Sequence, residues 1–187
     1  MPTLSDTAIC LRCWDFSETS QTVSLLLREH GLLRGLAKGA RRERASFSGG
    51  FDVLTRGRIV AIVKPGRDLA TLTEWKLEGV HRWLHHRLAA NRAAYLAADL
   101  TGRLLDLGDP HPEVFDALVE ALERMADPAE VGSALAAFQW RLLVSTGFRP
   151  EVATDVQTGA AIPAESEVVG FAPHAGGVVV EPDGPDR

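Results

Sequence analysis

The sequence predicts an α+β protein in which a five-stranded barrel is followed by an α-helical bundle and a small irregular lobe. Short segments rich in β-branched residues fill the first part, and apolar residues recur at helical spacing from about Gly79 to Gly147. Gly, Pro, Val and Ala dominate the remainder. These three patterns predict domains at residues 1–78, 79–150 and 151–187, in a chain large enough to bury one or two modest cores.

Five segments of the first part have the length and composition of strands. Turn residues such as His30-Gly31 and Pro65-Gly66 separate them, because glycine accepts a positive φ. The predicted strands are 7–15, 22–28, 32–38, 52–64 and 68–76. Five short strands with one long connection between the third and fourth predict a small closed barrel, of which the OB-fold is the commonest nucleic-acid-binding example.

Three helices are predicted after the barrel. The first covers residues 81–107, and its apolar positions are Leu84, Leu88, Tyr95, Leu96, Leu100, Leu104 and Leu105. Pro112 suits the first turn of the second helix, and Asp127 suits the N-cap of the third. Short links between the three favour a bundle around one apolar seam.

Positive charge is concentrated in the barrel half. The formal net charge is −5, yet residues 1–80 carry +3 and the remainder carries −8. Cations cluster at the end of the third strand, in the loop after it and on the fourth strand. The candidate phosphate-binding residues are Arg34, Lys38, Arg41, Arg42, Arg44, Arg56 and Arg58. Such a cluster suits phosphates without base preference, although charge alone fits a solvated basic loop equally well.

Few aromatic residues are available to stack on bases. Phe47, in the basic loop of residues 39–50, is the best candidate for stacking. Trp14 and Phe51 are expected to plug the barrel or cover its rim.

Cysteine and histidine spacings raise the possibility of metal or redox chemistry. Cys10 and Cys13 have C-x-x-C spacing, but strand alternation places such residues on opposite faces, which favours two reduced structural thiols. His81 and His85 are one helical turn apart beside His86, but no carboxylate or third ligand follows at useful spacing, which favours an exposed helix. No metal or other cofactor is expected.

No recognisable active site is present in the sequence. It has no phosphate-cradling loop, no nucleophile elbow and no paired carboxylates in a catalytic setting, so an enzyme is not expected. The N-terminus lacks a signal-peptide pattern and no apolar run approaches the length of a membrane helix, so we expect a cytoplasmic location.

Several motifs, in this order along the chain, resemble bacterial RecO proteins. The first is His30-Gly31-Leu32-Leu33-Arg34-Gly35, followed by Ala37-Lys38-Gly39-Ala40-Arg41-Arg42, Phe47 and Gly49-Gly50. The others lie at residues 69–74, 93–97, 140–151, 171–173 and 176–177. The resemblance covers nearly the whole chain, and its specificity comes from the shared order of the motifs.

This resemblance implies an N-terminal OB-fold, a helical domain and a role in recombinational repair through the RecF pathway. RecO proteins bind single- and double-stranded DNA, anneal complementary strands and help to load RecA onto DNA coated with single-strand-binding protein. They act with RecR and contact the single-strand-binding protein. A nucleoid-associated cytoplasmic location is therefore expected.

The sequence departs from the family pattern in two places. Many RecO proteins carry a four-cysteine zinc site in the last lobe, where this chain has Asp155, Thr158, Val180 and Asp183. These residues do not replace thiolates, so we expect no structural zinc and a lobe held by packing alone. The chain also ends soon after residue 177, where family members usually continue with further helix, which puts partner binding through the helical domain in doubt.

Three other functions remain open from the sequence. An adaptor of the same fold would dock partner proteins on its acidic helices without binding DNA. A different OB-fold module would act on RNA. A nuclease would need clustered acids on the barrel, where Asp52 and Asp68 are too few and too scattered.

Overall fold

A computed structural model of the chain describes residues 3–42, 46–163 and 168–180. Its strands are β1 (Thr3–Asp15), β2 (Gln21–Leu27), β3 (Gly31–Ala37), β4 (Arg56–Ile62), β5 (Ala70–Gly79), β6 (Gly170–Ala172) and β7 (Gly177–Val179). Its helices are a 3-10 helix (Arg82–His85) and the α-helices α1 (Leu88–Leu104), α2 (Pro112–Arg124) and α3 (Val131–Ser145). The predicted α+β fold class is confirmed.

The first five strands form a closed barrel in the order β1-β2-β3-β5-β4. β1 closes it, because its 13 residues pair with β4 through the first half and with β2 through the second. β3 and β5 are parallel neighbours, whereas the other pairs are antiparallel. A five-stranded barrel of this kind is the OB-fold architecture, as the sequence predicts.

A β-bulge interrupts β1 between Cys10 and Arg12. Leu11 is the extra residue, so the inward and outward positions exchange beyond it. Cys10 belongs to the apolar cluster inside the barrel, and Cys13 packs against that same cluster. The expectation that these cysteines face opposite sides is therefore wrong, because strand alternation does not account for a bulge.

Two apolar clusters share the barrel wall. The interior cluster includes Phe51 and Trp75, whose ring centroids are 4.8 Å apart. The other includes Ile9, Leu26 and Leu32, which lie side by side on β1, β2 and β3 and face the helices. The helices therefore cover part of the outer surface of these three strands.

The helix α1 packs through small side chains. Its buried residues are Ala90, Ala93, Ala94, Ala97, Ala98 and Thr101. Leu88, Tyr95 and Leu96, which were predicted to line the buried seam, are 65%, 47% and 43% exposed. Short side chains at a contact let a helix approach its neighbours closely, so these three larger side chains lie outside the core, whereas Leu100 of the predicted seam packs against it.

The helices begin later than the sequence predicts, except for α2. Pro112 occupies the first turn of α2, as expected. The first predicted helix opens instead with a 3-10 turn that has no side-chain cap, and α1 starts at Leu88. Asp127 caps a turn by accepting a hydrogen bond from the Ala129 N–H at 2.9 Å, and α3 starts at Val131. None of the helices in the described residues has both the length and the apolar character needed to cross a membrane.

The contacts divide the chain into two compact units, residues 1–142 and 143–187. Within the first unit the barrel joins the helices directly, since the Gly108 N–H donates a 2.9 Å hydrogen bond to the Leu32 carbonyl. Gly31 has a φ of 69° and lies so close to the Asp109 backbone that no Cβ fits. In the second unit β6 and β7 form an antiparallel hairpin. A division into functional domains after residues 78 and 150 stays a prediction.

Candidate nucleic-acid interface

The outer surface of β1, β2 and β3 is covered by helices at one end and open at the other. Outward residues alternate with interior ones along each strand. Beyond the covered row of Ile9, Leu26 and Leu32, two further outward rows lie toward the ends of β1 and β3. We call these rows the open face; they are Arg12, Ser24 and Arg34, then Trp14, Thr22 and Leu36. Arg34 and Trp14 are exposed, Arg12, Thr22 and Leu36 are half-buried, and Ser24 is buried.

Two of the predicted cations extend along β3 beside this surface. Arg34 is an exposed member of the open face, and Lys38 is an exposed residue that follows β3 in the same outward phase. Arg12 forms an ion pair with Asp99 of α1, which marks where the helical cover ends. The open face therefore runs from the edge of α1 to the end of β3, with positive charge at both ends.

The basic loop after β3 is held against the turn between β1 and β2. The Arg41 N–H donates to the Thr19 carbonyl at 3.1 Å, and the Arg41 guanidinium pairs with Asp15 at 2.7 Å. Arg42 lies over Gly39, where its side chain would meet an added Cβ at 3.2 Å. Both arginines are exposed, and an exposed ion pair is weak enough for a phosphate to compete with Asp15.

The same loop is anchored to the barrel interior at its far end. The buried Gln21 amide makes two hydrogen bonds to the Phe51 backbone, at 2.9 and 3.2 Å. Phe47 is 5% exposed, with its ring centroid 6.0 Å from that of Phe51. The prediction that Phe47 stacks on bases is therefore wrong: its side chain fills the barrel core. Phe51 plugs the barrel, as expected.

The remaining predicted cations lie apart from the open face. Arg56 and Arg58 are on β4, which pairs with the first half of β1 rather than the second. Arg58 is 3.7 Å from the Glu78 carboxylate. Arg56 is half-buried near His81, where burial first and the Arg56 charge second lower the pKa of the imidazole. Arg44 lies outside the described residues.

Two exposed aromatic residues beside the basic loop were not predicted as candidates for stacking on bases. Trp14 is 50% exposed on the open face, so it does not plug the barrel, which was one of the two expected positions for it. Phe16, in the turn that contacts the loop, is 66% exposed. The bulge at Leu11 sets the outward direction of Trp14, so alternation from the start of the strand gives the wrong face. The only sequence signal for Phe16 is its place in a polar turn.

Asp155 organises the second unit at the positions that match the family's zinc site. Its carboxylate accepts hydrogen bonds from the N–H groups of Gln157 (2.9 Å), Thr158 (2.8 Å) and Val180 (2.7 Å). These bonds, the one from Val180 first, lower the pKa of Asp155. The expectation that packing alone holds this lobe is therefore wrong. Asp183 lies outside the described residues. Within the described residues, no group of three or more His, Cys, Asp or Glu side chains could hold a metal.

Comparison with known proteins gives matches along most of the chain. Residues 1–80 match the family described as Recombination protein O N terminal, and residues 85–172 match Recombination protein O C terminal. A DNA repair protein RecO of Rhodopirellula baltica is 37% identical over 93% of this chain and 64% of its own length. One from Anaeromyxobacter is 34% identical over 96% of this chain and 70% of its own. The chain thus spans about two thirds of the length of these relatives.

Proposed function

The chain belongs to the RecO family, and from that premise we propose that it is a non-catalytic DNA-binding protein of recombinational repair whose DNA site is the open face. The relatives are named DNA repair proteins, which supports a role in repair. The observation that carries the site is exposed Trp14, which lies on the same outward surface as Arg34 of β3 and directly precedes Asp15, the partner of Arg41 in the basic loop.

Phosphates and bases would contact different parts of this surface. Arg34, Lys38, Arg41 and Arg42 supply exposed positive charge along a path from β3 into the loop. Trp14 offers a ring to an unpaired base, since stacking on an aromatic side chain tolerates any sequence. Strands 2 and 3 and the loop between strands 1 and 2 are the usual nucleic-acid-binding parts of an OB-fold, which supports this placement.

Annealing follows from charge neutralisation in this proposal. Two complementary strands repel each other through their phosphates, and cations that contact both reduce that repulsion. Arg44, Arg56 and Arg58 are proposed as further phosphate ligands, with smaller effects for Arg56 and Arg58 because they lie on β4. The finer family roles, which are loading of RecA on DNA coated with single-strand-binding protein, action with RecR and nucleoid association in the cytoplasm, are part of the proposal.

The test is fluorescence anisotropy with a labelled single-stranded oligonucleotide across a range of salt concentrations. Replacing Lys38, Arg41 and Arg42 with alanine should lower the slope of log affinity against log salt by about 2, since each phosphate contact on a single strand contributes about 0.7. Arg92→Ala is the control, because Arg92 is an exposed arginine on α1 rather than on the barrel or in the basic loop. That control should bind like the native chain.

Several outcomes would contradict the proposal. Binding by the native chain that does not change with salt would exclude phosphate contacts as its main source. A folded triple variant with the native affinity and slope would remove the basic loop from the site. RNA of equal length that competes better than DNA would favour a module acting on RNA.

An adaptor remains the second candidate, and one observation favours it. The α1 helix exposes Leu88, Tyr95 and Leu96 in the acidic part of the chain, and exposed apolar side chains can serve protein partners. No DNA binding by the folded native chain would support the adaptor over the DNA-binding function.

A further inference from the structure

The bulge in β1 brings its two cysteines close together. Cys10 is opposite Leu25 and Cys13 is opposite Val23, so three residue steps on β1 match two on β2. Two steps of a strand cover about 6.8 Å, whereas three cover about 10 Å. Cα atoms joined by a disulfide are roughly 4.4–6.8 Å apart. A regular strand would hold the two Cα atoms too far apart for a disulfide. The bulge reduces their separation to about the upper limit of the disulfide range.

The two sulfur atoms differ in their access to solvent. Cys10 is fully buried in the barrel core. Cys13 is half-buried and lines two surface pockets, of about 510 Å³ and about 250 Å³. Val53 and Tyr95 line both pockets as well, so the two pockets share a wall at Cys13. A small molecule therefore reaches Cys13 before Cys10.

The electrostatic environment makes the accessible thiol the reactive one. The neighbouring Cys10 side chain lowers the pKa of Cys13 to about 7, and the pKa of Cys10 is raised by that same interaction first and by burial second. The Cys10 thiol donates its hydrogen bond to the Arg12 carbonyl at 3.5 Å. Burial and the carboxylates of Asp52 and Asp15 oppose the lowering at Cys13, while Arg41 assists it. Because the thiolate is the nucleophile, a large fraction of Cys13 is reactive at neutral pH.

We propose that Cys10 and Cys13 form a peroxide-oxidisable pair that closes into a reversible intramolecular disulfide. The Cys13 thiolate attacks one oxygen of a small hydroperoxide, so that an S–O bond forms and the O–O bond breaks. The leaving oxygen takes up a proton as water or an alcohol, and the sulfur, oxidised by two electrons, becomes a sulfenic acid. Cys10 then attacks that sulfur, the S–S bond forms, and the hydroxyl leaves with the Cys10 proton as water.

The experiment treats the folded native chain with hydrogen peroxide, blocks free thiols with iodoacetamide and measures the mass of the fragment that holds both cysteines. We expect a loss of two hydrogen atoms with neither thiol alkylated, and full recovery of both thiols after dithiothreitol. In Cys10→Ala, the oxidation should stop at a sulfenic acid on Cys13 that dimedone captures. In Cys13→Ser, Cys10 should stay reduced.

A rate measurement separates a reactive pair from two structural thiols. Without peroxide, iodoacetamide should modify Cys13 of the native chain about tenfold faster at neutral pH than Cys13 of Cys10→Ala, because the interaction with the Cys10 side chain that lowers the pKa of Cys13 is lost. Cys10→Ser is measured as a second variant that lacks the Cys10 sulfur. Circular dichroism checks that both Cys10 variants are folded. Two thiols that both remain alkylatable after peroxide, or a native chain that accumulates the sulfenic acid without the disulfide, would overturn the proposal.

Discussion

Replacing Trp14 with alanine removes the only large aromatic ring of the open face in the described residues. Half of this side chain is exposed and half is packed against the protein. The exposed half is the surface that a base would cover. The expected result is weaker binding of single-stranded DNA, with the cations of β3 and of the basic loop left in place.

The exposed part of the Trp14 side chain determines the expected loss of affinity, and the packed part determines the expected loss of stability. Loss of one base–aromatic stack costs about 1–3 kcal/mol, which corresponds to a rise in Kd of roughly 5- to 150-fold. A tryptophan can bury about 200 Å², so the packed half of Trp14 contributes about 2.5 kcal/mol at roughly 25 cal/mol per Å². The variant should therefore lose folding stability as well, and its binding must be measured at a temperature where it remains folded.

Fluorescence anisotropy at several salt concentrations distinguishes stacking from phosphate binding. Trp14→Ala should raise Kd at every salt concentration without changing the salt slope, because no phosphate contact is lost. Trp14→Phe keeps an aromatic face and should recover most of the affinity. A folded Trp14→Ala that binds with native affinity would refute the stacking role, and an equal loss in Trp14→Phe would show that the effect comes from a changed strand rather than from the ring.

Three further predictions concern stability. Gln21→Leu should lower the free energy of unfolding by about 2–4 kcal/mol in urea titrations, because it leaves the Phe51 N–H and C=O buried without partners; a change under 1 kcal/mol would contradict this. Gly31→Ala should cost about 2 kcal/mol or more, since φ is positive and the added Cβ meets the Asp109 backbone; an unchanged thermal midpoint would argue against that contact. The lowered pKa of Asp155 means that its carboxylate stabilises the second unit above the ordinary aspartate pKa, and that this contribution is lost as pH falls through the folded-state value. Asp155→Asn should remove that acid dependence, which is measured from the amide NMR signals of Val180 as the pH is lowered. A variant whose pH profile equals that of the native chain would exclude this role.

Local sequence patterns were sufficient to predict the five strands, the three helices and the positions of most cations. Strand length, turn glycines and helical spacing are properties of neighbouring residues, so they can be read along the chain. The outward direction of Arg34 follows from alternation in β3, a strand with regular pairing to β2. Lys38 and Arg41 are polar residues after a strand, and their exposure follows from the same local reasoning.

Tertiary structure decided which of these residues form a site. The bulge at Leu11 depends on how β1 pairs with β2, so neither the outward position of Trp14 nor the closeness of Cys10 and Cys13 can be derived from alternation. Phe47 is buried because the loop on either side of it is held to the barrel, at Ser46 by the Trp75 N–H and at Phe51 by the Gln21 amide. These features depend on contacts between residues far apart in sequence, and such contacts have no local signature. The sequence by itself determined the kind of barrel and its charge, and only the tertiary packing determined which face of it remains open.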